Sequence, residues 1–339
     1  MTPQYLLAAD VGGTKTEVGY GHIERGKLAI LARRVYPSQE HPTLESLVDD
    51  FVTRLRASGH DTPGSAACLA VAGPVKGNGA SLTNLPWEIE SGALAARYGF
   101  RTVRLINDFQ AVGHGLAHLA PGELLNLQPG ERVAHGPCIA LGAGTGLGVT
   151  LLTYRAERYV VHPSEAGHMD FAPADPMQDD LLACLRRELG HVSYERVLSG
   201  SGLVRVFRFL LESGYGLPST ALEVAMQSED PAGAISRYGV EGKDPLAACA
   251  LNLFVQAYGA YAGNMALSVL ARGGVYIAGG IAPKVAAKLQ DGRFIAAFVD
   301  KGRFKDLLAT IPVDVVMNPA VGLYGAFEVA SQAAADVAS

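Results

Sequence analysis

The chain has 339 residues, of which 49% are hydrophobic and 18% charged, so it can form one large domain or two ordinary ones and is too apolar for wholesale disorder. Its formal net charge is -5 and no stripe of lysine and arginine stands out, which makes nucleic acid a poor candidate for a partner. The longest apolar stretch, CIALGAGTGLGVTLLTY, is rich in glycine and short for a bilayer, so we expect no membrane span. No basic region precedes the first apolar run, so we expect no signal peptide.

Strands and helices alternate through the first third of the chain. Residues 4–11, then TEVGYGHI and LAILARRVY, predict three strands in meander order. PTLESLVDDFVTRLRAS has helical periodicity, with Thr43 as its N-cap and Ser58-Gly59 as its end. AACLAVAG and TVRLIND predict strands buried in a parallel sheet, with the helix SGALAARYG between them.

The pattern then restarts. PCIALGAGTGLGVTLLTY predicts a strand, a glycine-rich turn and a second strand, and RYVVHPSEAG predicts a third. Helices dominate from Met177 to about Arg272. GGVYIAGGIA predicts a strand that runs into a glycine turn, VDVVMN a last strand and AVGLYGAFEVASQAA a last helix, and we expect the tail AAADVAS to be frayed.

The four cysteines are far apart and none forms a C-x-x-C pair. They indicate buried thiols in a reducing cytoplasm, and neither a disulfide framework nor a zinc site.

Two segments, ADVGGTKTEVGY and LGAGTGLGVTLL, share one pattern, a strand followed by a glycine turn and a second strand. One lies near the start of each half of the chain. Each half also continues with strands and a helix, which indicates a weak internal duplication. We therefore expect two α/β domains that face each other across a cleft. Ligands of open α/β sheets bind outside the carboxyl ends of the strands, where both glycine turns fall.

The glycine turns are candidates for holding phosphate. Glycine lets the backbone approach an anion and direct several N–H groups at it, and each turn also carries a threonine, Thr14 or Thr145. Ordinary hairpin glycines are the alternative for either turn alone. The Walker A pattern is absent, and G-x-G-x-x-G fails at Leu147, which disfavours a P-loop NTPase and a nicotinamide or flavin enzyme.

Two predicted strands end in acids. Asp10 beside bound phosphates would be repelled without a cation, so it is a candidate to organise Mg²⁺; alternatively it satisfies backbone N–H groups of the turn. Asn107 and Asp108 are a plausible N-cap pair for the helix FQAVGHGLAHL. The functional alternative is that Asp108 accepts a proton from a substrate hydroxyl during phosphoryl transfer.

A loop with the sequence HPSEAGHMDF brings Glu165 and His168 close together. Carboxylates of such loops can accept hydrogen bonds from two vicinal sugar hydroxyls. Glu-x-x-His can also be a metal pair, but no convincing third ligand is apparent. Glu195 precedes an apolar helix, where it could simply complement the helix dipole.

These motifs together closely resemble bacterial glucokinases of the hexokinase-like type, within the sugar kinase/actin/Hsp70 superfamily. The resemblance runs along nearly the whole chain through DVGGTK, LINDFQAV, GAGTGLGV, SEAGHMDFAP, HVSYERVLSGSGL, GGVYIAGGIAP and DKGRF. It implies two actin-like (ribonuclease H-like) α/β domains with a cleft between them. The small domain would comprise 1–115 plus 319–336, with the C-terminal helix returning to it, and the larger one, with helical insertions, 116–318.

The resemblance implies ATP-dependent phosphorylation of glucose at its 6-hydroxyl, with Mg²⁺. Asp108 would be the catalytic base. The implied sugar ligands are Asn84, Asn107, Asp108, Glu165, His168 and Glu195. The implied ATP-binding residues are Asp10, Gly12, Gly13, Thr14, Lys15, Gly144, Thr145, Gly146, Gly279 and Gly280, with Asp10 holding Mg²⁺, directly or through water.

This chain departs from the family pattern at two positions. Lys15 stands where many relatives have Asn, and Ala166 replaces a frequent Gly in the sugar loop. Neither change removes a polar ligand, so we expect the activity to survive. No cysteine-rich zinc motif follows His168, unlike in the related repressor and kinase family.

Three alternatives remain at this point: a kinase for mannose, fructose or an N-acetyl sugar, a non-catalytic sugar sensor, and an actin- or Hsp70-like ATPase acting on protein. Polyphosphate in place of ATP is also open. By resemblance we expect a cytoplasmic homodimer.

Overall fold

The structure, a computed structural model, describes residues 4–60, 64–82 and 85–338. The chain divides into two compact units. Unit 1 combines Met1–Ala120 with Asn318–Ser339, and unit 2 is the continuous segment Pro121–Met317.

Strands and helices are numbered in chain order. The strands are β1 (Leu6–Val11), β2 (Lys15–Glu24), β3 (Lys27–Pro37), β4 (Ala66–Val71), β5 (Val75–Lys76), β6 (Gly79–Ser81), β7 (Glu88–Glu90), β8 (Thr102–Asn107), β9 (Leu124–Gln128), β10 (Cys138–Ala143), β11 (Leu147–Arg155), β12 (Arg158–Ser164), β13 (Gly274–Ala278) and β14 (Val313–Val316). The α-helices are α1 (Leu44–Ala57), α2 (Ser91–Tyr98), α3 (Asp108–Gly115), α4 (Pro176–Leu189), α5 (Gly200–Glu212), α6 (Thr220–Ser228), α7 (Pro231–Val240), α8 (Pro245–Val269), α9 (Ala286–Leu289), α10 (Arg293–Val299), α11 (Lys305–Ala309) and α12 (Val321–Ala338). Short 3-10 helices lie at Ser38–Glu40, Leu116–His118, Pro121–Glu123, Ala166–His168, Tyr194–Arg196, Ala282–Val285 and Gly302–Phe304.

Unit 1 is built on a five-stranded sheet in the order β3-β2-β1-β4-β8. The predicted meander is confirmed, since β1, β2 and β3 are antiparallel neighbours. β1, β4 and β8 run parallel, with Leu6 opposite Ala66 and Ala66 opposite Thr102, so these strands end at the same edge of the sheet. A separate small sheet has the order β5-β6-β7.

Both faces of the central strands β1 and β4 of the unit 1 sheet are buried, which explains why these strands are almost entirely apolar. Leu7, Ala9 and Val11 of β1 pack into a core shared with α1 and α2. Leu6 and Ala8 point the other way, into a core shared with α3 and α12. Because successive side chains of a strand point to opposite faces, β1 contributes to the cores on both faces of the sheet.

Unit 2 contains a six-stranded sheet in the order β12-β11-β10-β13-β14-β9. β10, β13 and β14 are parallel, whereas β11, β12 and β9 pair antiparallel to their neighbours. The long helix α8 is buried over most of its surface, with Phe254, Tyr258 and Tyr261 nearly inaccessible to solvent. A helix that is apolar on all sides is typical of a domain core.

Three sequence-based expectations need correction. The tail AAADVAS does not fray at its start, because α12 continues to Ala338 and Ala333 and Ala334 are buried. The helix that begins at Asp108 ends at Gly115 and continues only as the 3-10 turn Leu116–His118. The strand β9 was not predicted; it exists because β14 offers it a pairing edge.

The cysteines are free thiols, as expected, but their burial differs. Cys68 and Cys138 are buried, whereas Cys184 and Cys249 are only partly buried. In the described part of the chain, no helix has both the length and the apolar composition that crossing a membrane requires.

Candidate active site

The first glycine turn joins β1 to β2 and is closed by its own backbone. The Gly12 N–H donates to the Lys15 carbonyl at 3.0 Å. Ser38 supports the turn from the side: its hydroxyl donates to the Gly12 carbonyl at 2.7 Å, and its N–H donates to the Thr14 carbonyl at 3.0 Å. A Cβ on Gly12 would lie only 2.9 Å from the Lys15 carbonyl oxygen, which explains the glycine. The Thr14 and Lys15 side chains are exposed and can reach a ligand.

Asp10 lies near the carboxyl end of β1, opposite Ala70 of β4. Asp108 directly follows β8, the next parallel strand, so strand pairing brings both acids to one edge of the sheet. Burial, followed by the nearby Asp108 carboxylate, raises the pKa of Asp10 to about 7. Glu17 raises the pKa of this carboxyl further, and Lys15 lowers it. Such a concentration of negative charge favours a bound cation.

Asn107 caps the start of α3, as one of the two sequence interpretations predicted. Its side-chain oxygen accepts hydrogen bonds from the N–H groups of Phe109, at 2.9 Å, and Gln110, at 3.3 Å. The Phe109 N–H also donates to Oδ1 of Asp108 at 2.8 Å. Capping is compatible with a role toward substrate, because a carboxylate accepts several hydrogen bonds and the amide nitrogen of Asn107 is a donor.

Gly322, in the first turn of α12, is a site residue that the sequence patterns do not reveal. A Cβ at this position would lie 2.7 Å from Oδ2 of Asp10, so the helix can approach the acid only without a side chain there. Gly325 follows three residues later, where a Cβ would lie 1.8 Å from the Ala111 carbonyl oxygen of α3. Two glycines spaced three apart in an apolar helix, as in AVGLYG, are the signal that could have indicated a close contact.

The second glycine turn joins β10 to β11 in unit 2. The Gly144 N–H donates to the Gly146 carbonyl at 2.8 Å, and the Gly200 N–H at the start of α5 donates to the Gly144 carbonyl at 2.9 Å. Thr145 at the tip is exposed. The buried Tyr258 hydroxyl, which accepts from the N–H of Ala143 at 3.1 Å, braces the strand just before the turn.

The third glycine segment lies beside the second turn. β13 runs parallel to β10, so Gly279 and Gly280 follow the neighbouring strand end. The Ile281 N–H donates to the Ala143 carbonyl at 3.2 Å. Gly279 has a φ of +81° and a Cβ there would lie 2.6 Å from the Ala143 carbonyl oxygen, whereas a Cβ on Gly280 would meet open space.

Glu165 and His168 lie at the two ends of one short turn. His168 Nε2 is 3.9 Å from Glu165 Oε2, and the two side chains are 59% and 89% exposed, respectively. Gly167 between them packs against the backbone of β11, where a Cβ would lie 2.1 Å from the Leu147 carbonyl oxygen. The turn is therefore fixed by its backbone, while its polar side chains remain accessible to a ligand.

Glu195 belongs to the same region of unit 2. The Tyr194 N–H donates to the Met169 carbonyl at 2.9 Å, which joins the segment that precedes Glu195 to the loop after His168. The Glu195 carboxylate accepts from the Leu147 N–H at 3.0 Å. The Glu195 carboxylate thus contacts the second glycine turn. An interaction with the dipole of α5 alone does not account for this hydrogen bond.

The structure brings the predicted residues together in two groups. Unit 1 gathers Asp10, Asn107, Asp108 and the first turn, and unit 2 gathers Glu165, His168, Glu195 and the second and third glycine segments. Asn84 lies outside the described residues. Among the described residues, no group of three or more His, Cys, Asp or Glu side chains could enclose a metal ion.

The chain is similar to known proteins over nearly its whole length. A family model described as glucokinase matches residues 7–333. The glucokinase of Trichormus variabilis is 40% identical over 335 residues, which cover 95% of this chain and 97% of that protein.

Solved structures agree with this match. The crystal structure of a glucokinase from an Antarctic psychrotroph has a TM-score of 0.84 at 28% identity and covers 97% of this chain and 99% of that one. A ROK family glucokinase from Streptomyces griseus, in complex with glucose and AMPPNP, has a TM-score of 0.64 at 22% identity, covers 97% of this chain and 99% of that one, and shows the shared fold. The expected actin-like α/β fold is thereby confirmed. The chain belongs to the glucokinase family.

Proposed function

We propose that this protein transfers the γ-phosphoryl group of ATP to the 6-hydroxyl of D-glucose, the first step of glycolysis. Relatives named glucokinase, matched over nearly the full chain, support glucose as the substrate. The observation that carries the mechanism is the position of Asp108: it follows a parallel strand at the same sheet edge as Asp10, beside the first glycine turn.

Asp108 acts as the general base. It accepts the proton of the 6-hydroxyl as that oxygen forms a bond to the γ-phosphorus and the bond between this phosphorus and the β,γ-bridging oxygen breaks, which releases ADP. Loss of the proton prevents the attacking oxygen from remaining a positively charged oxonium, which would be expelled again. The sugar is held by hydrogen bonds to its other hydroxyls. The proposed ligands are Asn84, Asn107, Asp108, Glu165, His168 and Glu195.

ATP binds at the glycine turns. Use of ATP is supported by the AMPPNP complex of the Streptomyces griseus protein and by the family match. The proposed phosphate-binding residues are Gly12, Gly13, Thr14, Lys15, Gly144, Thr145 and Gly146. Gly279 and Gly280 lie near the adenosine in this proposal, where the open space at Gly280 leaves room for a ligand.

Mg²⁺ fits the chemistry of Asp10. The pKa of this carboxyl is raised by burial and by Asp108, so a cation between it and the phosphates would relieve repulsion among the negative groups. Magnesium commonly takes one or two protein carboxylates and completes its shell with water and phosphate oxygens. When bound, the ion supplies charge neutralisation for the transferring phosphoryl group.

The relatives do not favour a kinase for another hexose. A non-catalytic sugar sensor and a protein-directed ATPase are disfavoured for a different reason: the first would not need both Asp10 and Asp108, and the second would have no use for Glu165, His168 and Glu195. We further propose a cytoplasmic homodimer, and functional domain limits at 1–115 with 319–336 and 116–318.

The test is ADP release by the purified protein with Mg-ATP and a panel of hexoses. We expect glucose to stimulate release strongly. Asp108→Asn removes the base but keeps the shape, so kcat should fall by at least about 10²–10⁴-fold while glucose still binds. Asp180→Asn, an identical change at an exposed position of α4, is the matched control and should leave the rate unchanged.

The outcomes separate the alternatives. If only another hexose stimulates ADP release, the mechanism stands and the substrate is wrong. If no sugar does so, the kinase proposal is wrong. If Asp108→Asn retains most of the activity, Asp108 is not the base.

A further inference from the structure

The carboxylate of Glu195 lies directly against the second glycine turn. Its Oε2 accepts the Leu147 N–H at 3.0 Å, where the turn becomes β11. The same oxygen would lie 2.6 Å from a Cβ on Gly146, well inside the contact distance of real Cβ atoms. The space that Gly146 leaves empty is therefore the space that the carboxylate occupies.

The backbone that carries Glu195 is held firmly. The Ser199 hydroxyl donates to the Glu195 carbonyl at 2.8 Å, and the Leu198 N–H donates to the Tyr194 carbonyl at 2.7 Å. The Tyr194 ring is buried beside the Tyr261 ring, with 4.2 Å between the ring centroids. An obstacle placed at Gly146 would consequently displace the end of the Glu195 side chain rather than its backbone.

Gly146 differs in this respect from Gly167 and Gly279, two other glycines of unit 2. Its φ lies outside the left-handed region, and the atom that would oppose a side chain is the end of a flexible carboxylate. At Gly167 the opposing atom is a backbone carbonyl oxygen, and at Gly279 the φ of +81° itself favours glycine. At Gly146, therefore, neither a left-handed φ nor an opposing backbone atom accounts for the glycine.

We propose that Gly146 is a positioning residue for Glu195. The absence of a side chain lets the carboxylate dock on the Leu147 N–H, which orients its second oxygen toward the sugar. The inference rests on the proposed function, in which Glu195 is a sugar ligand and the turn holds phosphate. One hydrogen bond then joins the sugar ligand to the phosphate turn.

The test measures glucose affinity by calorimetry in the absence of nucleotide, so that any effect on phosphate binding is excluded. Gly146→Ala should raise the glucose Kd about ten-fold or more, the usual effect of losing a well-placed hydrogen bond to a charged group. Gly144→Ala is the matched control on the same turn, because its Cβ would meet open space. The control should leave the nucleotide-free glucose Kd within about two-fold of the unmodified protein.

A double-mutant cycle distinguishes positioning from general damage. Glu195→Ala removes the carboxylate that Gly146→Ala would displace, so adding Gly146→Ala to Glu195→Ala should change the Kd by less than about two-fold. Thermal melting of Gly146→Ala should match that of the unmodified protein, since the clash involves only a movable side chain.

The inference would be overturned if Gly146→Ala raised the glucose Kd as much in the Glu195→Ala background as in the unmodified protein, or if Gly146→Ala alone left this Kd unchanged. Either result would leave the kinase proposal intact. A large loss of melting temperature in Gly146→Ala would also overturn it, because the glycine would then serve the fold. If the unmodified protein neither binds glucose nor releases ADP with it, the proposed function fails and this inference fails with it.

Discussion

Two glycines of this protein lie where a Cβ would meet the carboxylate of an acid, although neither glycine carries a functional group. Gly322 leaves room for Asp10, and Gly146 leaves room for Glu195. In both cases the atom that a Cβ would meet is a carboxylate oxygen, and the backbone conformation does not itself demand glycine. At the scale of single residues, the lack of a side chain at these two glycines leaves the room that the two carboxylates occupy.

Gly322→Ala tests this at Asp10. The added methyl group would stand 2.7 Å from Oδ2 and must move the carboxylate that we assign to Mg²⁺. We expect kcat/KM for Mg-ATP to fall about ten-fold and half-maximal activity to need more free Mg²⁺. The measurement is a titration of ADP release against Mg²⁺ at saturating glucose.

Gly325→Ala on the same helix is the contrasting variant. Its methyl group would meet a backbone carbonyl of α3, so it should lower the melting temperature by overpacking. The folded fraction should keep the normal Mg²⁺ dependence. An unaltered Mg²⁺ titration in Gly322→Ala would show that Gly322 does not position Asp10.

At the scale of elements, the start of α3 combines a structural and a proposed catalytic role. Asn107 satisfies two N–H groups of the first turn through one oxygen, and its side-chain nitrogen is left to the proposed sugar contact. Asp108 is the first residue of the helix. The Asn107 cap therefore fixes the backbone at the point where β8 ends and Asp108, the proposed base, begins α3.

Two substitutions of Asn107 separate capping from sugar binding. Serine is as good an N-cap as asparagine but lacks the amide donor, so Asn107→Ser should keep the melting temperature and raise the KM for glucose. Asn107→Ala should raise this KM and also cost about 1 kcal/mol of stability. A normal KM in Asn107→Ser would remove Asn107 from the sugar ligands.

At the scale of the whole molecule, the two units differ in how the chain builds them. All strands of the six-stranded sheet and the core around α8 come from the continuous segment 121–317. Unit 1 instead needs α12 from the other end of the chain, because Leu323 and Phe327 complete the core on one face of its sheet.

We expect the isolated segment 121–317 to fold, with a helical circular dichroism spectrum and a cooperative thermal transition, and to lack kinase activity. Residues 1–120 alone should aggregate or remain unfolded because the face that α12 covers is exposed. Joining residues 318–339 to this piece through a flexible linker should restore its folding. Cooperative folding of residues 1–120 without α12 would contradict this account.

Local signals explain most of what the sequence predicted correctly. Strand runs, glycine turns and the Asn107 cap depend on neighbours within a few residues, so they can be recognised from the sequence alone. The edge strand β9 was missed because its stability comes from a partner almost 190 residues away, at Asp314. The expectation for the start of the tail was wrong because Ala333 and Ala334 are buried by packing, which local propensity does not reveal.

The sequence by itself determined the type of protein: its motifs predicted the glucokinase family, the actin-like fold and the residues with the chemistry of phosphoryl transfer. Only the tertiary structure decided which of those residues meet. The contacts of Asp10 with Gly322 and of Glu195 with Gly146 join segments hundreds or tens of residues apart. Such contacts arise from the crossing of packed elements, which no local periodicity encodes, and they set the geometry on which the proposed chemistry depends.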